Sequence, residues 1–218
     1  MAADLNPLIQ QGFKPIRWWT IAIFVVLVLL LWIPAGWLLH DQGLLTLLAV
    51  YFAIGLLALG VAMAPMGRAA LPALGFRRAG WRPLVLGSVV ALALSIGASQ
   101  LGLEPQGIKQ AMDVVREPGM FAASLVVIAG IAPLFEELVF RGLLYGWVAG
   151  RGGTVAAWIV SSLAFAAAHI EPAHVILVLP LAFWFGWLRR RTDSLLPSLL
   201  AHMVNNGLAV VAAAYLDA

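Results

Sequence analysis

Apolar residues in this chain fall in long uninterrupted runs separated by short polar breaks. The run from Trp18 to Leu39 holds about twenty residues without a charge, enough to cross roughly 30 Å of hydrocarbon as a helix. Similar runs recur, and they predict membrane helices over 18–39, 44–66, 83–103, 119–149, 154–171, 173–189 and 195–216. The expected fold is all-α: a polytopic transmembrane bundle of about seven helices, with residues 1–218 forming one integral membrane domain. Residues 1–118 would supply N-terminal helices and residues 120–216 a core that carries the intramembrane polar residues. Two polar segments are longer than the rest. Residues 68–82 carry Arg77, Arg78, Trp81 and Arg82, and would lie along the interface as an eighth, non-spanning element; residues 102–118 form the other. Neither is long enough for a second domain. No internal repeat or low-complexity tract is visible, so a transporter built from two related halves gains no support.

Composition agrees. With 63% apolar and 11% charged residues among 218, there is too little polar surface to cover a soluble globule. The absence of cysteine excludes disulfides, thiolate ligands and a cysteine nucleophile. The first 17 residues are polar and end in Lys14 and Arg17. The run after them is too long for a signal-peptide core and has no convincing small-residue cleavage site, so it is expected to be retained.

The pI near 9.8 does not point to nucleic acid, because the basic residues follow the membrane pattern instead. With the N-terminus cytoplasmic, Lys14, Arg17, Arg68, Arg77, Arg78, Arg82, Arg151, Arg189, Arg190 and Arg191 fall inside, and only Lys109 and Arg116 fall outside. Asp41, Glu104, Asp113, Glu117, Glu171 and Asp217 fall on the outer side. Residue usage rich in Ala, Gly and Arg suits a bacterial inner membrane. The nine tryptophans lie mostly near span ends, as interfacial anchors do.

Against this background Glu136, Glu137 and Arg141 demand a reason, since a charge at mid-bilayer costs about 2.5 to 3.5 kcal/mol even on the lenient insertion scale. Glu137 and Arg141 are four apart and can pair on one helix face. Glu136 points to another stripe and needs a partner on another helix. His169 follows Phe165 and three alanines, which leave room for a close neighbour. His202 and Asn206 project from one face a turn apart, with Asn205 on a neighbouring face. At 1.5 Å per residue these groups fall roughly 12 to 22 Å from the cytoplasmic ends of their helices, so they can converge in the bilayer. Such a set supports hydrolysis: a carboxylate takes a proton from water, a histidine holds that water, and histidine and asparagine donors stabilise an oxyanion. Alternatively Glu136, His169 and His202 could hold a zinc ion with an open position for water. Both mechanisms fit the residues.

Glu136-Glu137-x-x-x-Arg141, Phe165-x-x-x-His169 and His202-x-x-x-Asn206 together resemble the signature of the CAAX-protease and bacteriocin-processing (Abi) family of intramembrane proteases. The resemblance runs from Glu136 to Asn206. It implies Glu136 as general base, His169 helping to position water, Glu137 and Arg141 as a supporting pair, and His202 and Asn206 as the oxyanion site. The family is usually described as metalloproteases, whereas its Ras-converting members look more like glutamate-dependent hydrolases. The metal-free form is the expectation, with no certain cofactor and zinc as the alternative. Peptide or protein substrates, lipidated or not, would arrive from the membrane or the cytoplasmic side. The segment Leu74-Gly75-Phe76-Arg77-Arg78 is similar to a weak feature preceding the core in such proteins.

Rival readings are a non-proteolytic scaffold or bacteriocin self-immunity protein of the same fold, and a proton-coupled carrier. His40 and His174 sit beside span ends and are read as packing or solvated groups. Glu171-Pro172 reads as a helix terminus. Ser161 and Ser162 lack a Gly-x-Ser-x-Gly turn, and His-Glu-x-x-His is absent, which removes the ordinary serine protease and zincin.

Overall fold

Each long apolar run is helical in the computed structural model, which describes residues 15–216; Lys14 and Asp217, counted above, lie outside that range. Helix α1 spans Trp18–Leu38 and α2 spans Leu44–Met63. A 3-10 stretch, Ala64–Ala69, leads into the short α3, Ala70–Leu74. Helix α4 is Trp81–Ser99 and α5 is Gln106–Arg116. After a long helical run, Phe121–Ala167, the chain ends in α8, Pro172–Thr192, and α9, Leu196–Tyr215.

The run Phe121–Ala167 is 47 residues long, about 70 Å if straight and twice the bilayer. It is not straight. Gly153 has φ 79 and ψ 173, a backbone region essentially restricted to glycine, and the helix breaks there into α6 (121–152) and α7 (154–167). Phe140 and Phe165 meet edge to face with centroids 5.4 Å apart; in one continuous helix they would be about 37 Å apart. The two arms therefore fold back on each other. Among the described residues, seven helical arms of membrane character result, with α3 and α5 as two shorter helices.

Helix α7 packs chiefly on α8, α9 on α4, and α1 on α2. Beneath the acidic turn of α6, Phe135 lies against Trp32 and Phe52, with centroids 6.0 and 5.5 Å away. Leu30, Ile33 and Ile96 are 64, 70 and 65% exposed, the lipid-facing surface of an integral multi-pass membrane protein. Hydrogen bonds tie the loops at each end. At one end Arg151 Nη1 donates to Ile16 O (3.3 Å), Leu195 N to Gly75 O (2.8 Å) and Ser194 Oγ to Arg77 O (2.7 Å). At the other, Gln106 N donates to Glu171 Oε1 (2.9 Å) and Arg116 Nε to Ala213 O (3.3 Å).

Four expectations need correction. The extra helix forms in the second polar segment, as α5, where Val115 is buried and Lys109 and Asp113 are exposed. Residues 68–82 instead fold into the bundle end, burying Leu74 and packing Phe76 on the core. Helix α7 stops at Ala167, so His169 sits in a turn: Pro172 holds Glu171 extended (ψ 120) and starts α8. Arg189, expected as a cytoplasmic charge at the end of its span, lies inside α8, which runs on to Thr192, and is 1% exposed. Only part of the tryptophans are anchors. Trp18, Trp37 and Trp81 are well exposed near span ends, whereas Trp158 and Trp184 donate indole N–H to Phe183 O and Gly87 O inside the bundle (2.9 Å each).

Candidate active site

Two π-helical stretches, Leu125–Ile131 and Leu138–Leu144, flank the α-helical turn Ala132–Glu137. Such stretches carry an extra residue per turn and recur at functional sites. Glu137 Oε1 lies 3.2 Å from Arg141 Nη1, as the four-residue spacing predicts, and both side chains are wholly buried. Arg141 Nη2 donates to Ala182 O at 2.9 Å, and its guanidinium carbon lies 4.2 Å over the Phe165 ring. A buried charge needs this many partners to be tolerated.

Glu136 finds its partner on α9. His202 stands between the two carboxylates, with Nδ1 3.2 Å from Glu137 Oε1 and Nε2 3.6 Å from Glu136 Oε2. The first is a hydrogen bond that Nδ1 donates; the second is an ion-pair distance with slack. Phe185 stacks on the imidazole at 4.9 Å and 22°, and Phe165 meets it edge on at 5.7 Å, so the ring cannot turn away. The two glutamates differ in access. Glu137 has no exposed side-chain surface and Glu136 has 21%, which makes Glu136 the carboxylate that a small molecule reaches.

His169 Nδ1 donates to Phe165 O at 2.9 Å; since a carbonyl only accepts, Nε2 of the neutral ring is left as the acceptor. Its link to the carboxylates runs through the Phe165 ring, 5.0 Å from His169. Asn206 Nδ2 donates to Ile128 O (3.1 Å), and Asn205 Nδ2 to Asn206 Oδ1 (3.4 Å). Glu136, Glu137, Arg141 and His202 are thus one contiguous group. His169 joins it through Phe165, and Asn206 sits one turn beyond His202 on α9.

His174, read from the sequence as a packing or solvated group, packs its ring 4.4 Å from that of His169. The two residues are brought together by the tight turn at Pro172, which helical spacing alone does not reveal. Among the described residues, no three His, Asp or Glu side chains group tightly enough to hold one metal ion. Glu136, His169 and His202 do not form such a group as they stand, and no step below is routed through zinc.

Residues 118–208 match the type II CAAX prenyl endopeptidase Rce1-like family. The matched stretch is a little over two fifths of the chain, and it is similar to that family. All seven named residues of the sequence signature fall within the matched stretch. The chain is also 24% identical over 111 residues to the candidate membrane peptidase YdiL of Bacillus subtilis (strain 168). That match covers 51% of this chain and 44% of the relative, so the chain matches less than half of that protein's length. No solved structure matches the chain.

Proposed function

We propose that the chain is an intramembrane endopeptidase that hydrolyses peptide bonds of membrane-associated substrates without a metal. The observation that carries this reading is the seat of His202 between Glu136 and Glu137 inside an apolar bundle, because so costly a cluster needs a chemical use.

Glu136, the more accessible carboxylate, takes a proton from a water molecule that attacks the substrate carbonyl, with His169 Nε2 accepting that water's second hydrogen bond. The carbon–nitrogen bond of the tetrahedral intermediate then breaks as Glu136 returns the proton to the leaving amine. A side-chain amide has two N–H donors, so Asn206 keeps one for the developing oxyanion while the other holds Ile128 O. Glu137 accepts from His202 Nδ1 and, pinned by Arg141, fixes the imidazole. The basic end of the bundle, with Arg151, Arg190 and Arg191, is the cytoplasmic side in this reading, and the membrane is the bacterial inner membrane.

Membrane peptide profiles from cells carrying the wild type and Glu136→Gln test the proposal. Fragments that require the carboxylate are expected. Identical profiles at equal expression and insertion would overturn proteolysis in favour of a scaffold that uses the same groups to bind a partner.

A further inference from the structure

Arg189 is a fully buried cation that the proposed chemistry does not use. Removing a guanidinium from water is costly unless its donors are met, and here the partners come from α6 and from the turn that follows α8. Nη1 pairs with Asp193 Oδ1 at 3.0 Å, the guanidinium lies 4.8 Å over the Tyr145 ring, and Nε donates to the backbone carbonyl of Arg141 at 3.0 Å. That carbonyl lacks the bond an α-helix would give it. The Tyr145 amide bonds Gly142 O and Phe140 O rather than Arg141 O, four residues back, which an α-helix would use.

The 74–78 turn closes over the same guanidinium. Gly75 has φ 94, and a Cβ there would lie 2.7 Å from the Arg189 guanidinium carbon, so only glycine lets the turn approach. Gly75 O accepts from Leu195 N, Arg77 O accepts from Ser194 Oγ, and the Arg77 side chain pairs with Asp193. Asp193, Ser194 and Leu195 run directly into α9, which carries His202. Arg189 therefore ties the backbone of α6 at Arg141 to the start of α9. The 3.2 Å contact between Glu137 and His202 depends on the relative height of those two helices.

We infer that Arg189, seated under the 74–78 turn, is a positioning residue for the Glu137–His202 pair, an inference that rests on the peptidase reading for its effect on rate. A brace that only holds loops together would need the positive charge opposite Asp193. A positioning residue also needs the planar Nε–H on Arg141 O, which lysine cannot supply.

The test uses the full chain in lipid nanodiscs, wild type against Arg189→Lys and Arg189→Met, with 15N-histidine spectra and steady-state cleavage of a membrane peptide. The chain has four histidines, and His202→Gln assigns the ring signal of interest. Arg189→Lys is expected to fold, to shift the His202 ring signal, and to lose roughly tenfold in kcat at unchanged KM, the scale of one charge-assisted hydrogen bond. A folded Arg189→Lys protein with the wild-type His202 signal and kcat would overturn the inference and leave a loop brace. Should Arg189→Met not fold, Gly75→Ala displaces the same guanidinium and must move the same signal. If the wild type cleaves nothing while the His202 signal still shifts in Arg189→Lys, the peptidase reading falls and the tie from Arg189 to His202 stands.

Discussion

His202 and Glu137 are 65 positions apart in the chain, yet Nδ1 and Oε1 are 3.2 Å apart in a wholly buried setting. Glu137 thus answers to two helices at once: Arg141 on its own and His202 on α9. The pair is the point where the α6 turn and α9 are registered against each other.

Arg141→Met should therefore destabilise the protein strongly, by about 3–5 kcal/mol, because it leaves a buried carboxylate short of its main counter-charge. Adding Glu137→Gln removes that charge as well, so the double variant should regain part of the loss. Unfolding in detergent, followed by tryptophan fluorescence, measures both. Equal losses in the single and double variants would show that packing of Arg141 on Phe165, rather than its charge, supplies the stability.

Much of this organisation is legible in the residue pattern, for definite reasons. Apolar runs mark the spans because the lipid-facing surface is most of what a membrane helix presents, and the Gly152-Gly153 break lies where the fifth span was expected to begin. The Glu137–Arg141 pair follows from spacing within one helix. The partner of Glu136 does not, since it comes from the packing of α6 on α9. Arg189 is hidden for another reason: Arg190 and Arg191 beside it make it look like part of a topogenic charge cluster. Helical register is the missed signal, as Arg189 is four residues after Phe185 and shares its buried face. Helix α5 is too short and polar to register as a span, and its single buried position, Val115, only acquires meaning beside Val210.

Gly153→Ala tests the break that turns one long run into two arms. A Cβ at Gly153 meets nothing within 4 Å, so the whole cost is conformational, about 1–3 kcal/mol for a non-glycine residue at φ 79 and ψ 173. Stability against thermal unfolding should fall by that amount, while kcat per folded molecule stays at the wild-type value because the site lies roughly 18 to 26 Å along both arms from the break. An unchanged unfolding midpoint would mean the backbone relaxes at no cost.

Glu171→Gln addresses the opposite end. The carboxylate accepts from the first two amides of α5, Gln106 N at 2.9 Å and Gly107 N at 3.4 Å, a cap supplied from another part of the chain. Neutralising it weakens both the capping bonds and the favourable meeting of negative charge with a helix N-terminus, by about 1 kcal/mol together. Hydrogen exchange should quicken roughly fivefold along α5 and stay constant in α8. Unaltered protection of α5 would assign its anchorage to Val115 and Arg116 at its other end.

Asn206 and Asn205 are adjacent, and their contacts assign them unequal work. Asn206 Nδ2 donates to Ile128 O, which orients the amide and leaves a second N–H; Asn205 only supports Asn206 from behind, through a 3.4 Å bond to Oδ1. Asn206→Ala should lower kcat by about 10²–10³ with little change in KM, the scale of one oxyanion donor acting in the transition state alone. Asn205→Ala should cost less than about tenfold, the scale of one neutral hydrogen bond. Steady-state cleavage of a membrane peptide by both variants decides the matter: equal losses would mean that Asn206 acts by holding α6 and α9 together at Ile128, and the oxyanion donor would have to be sought at His202.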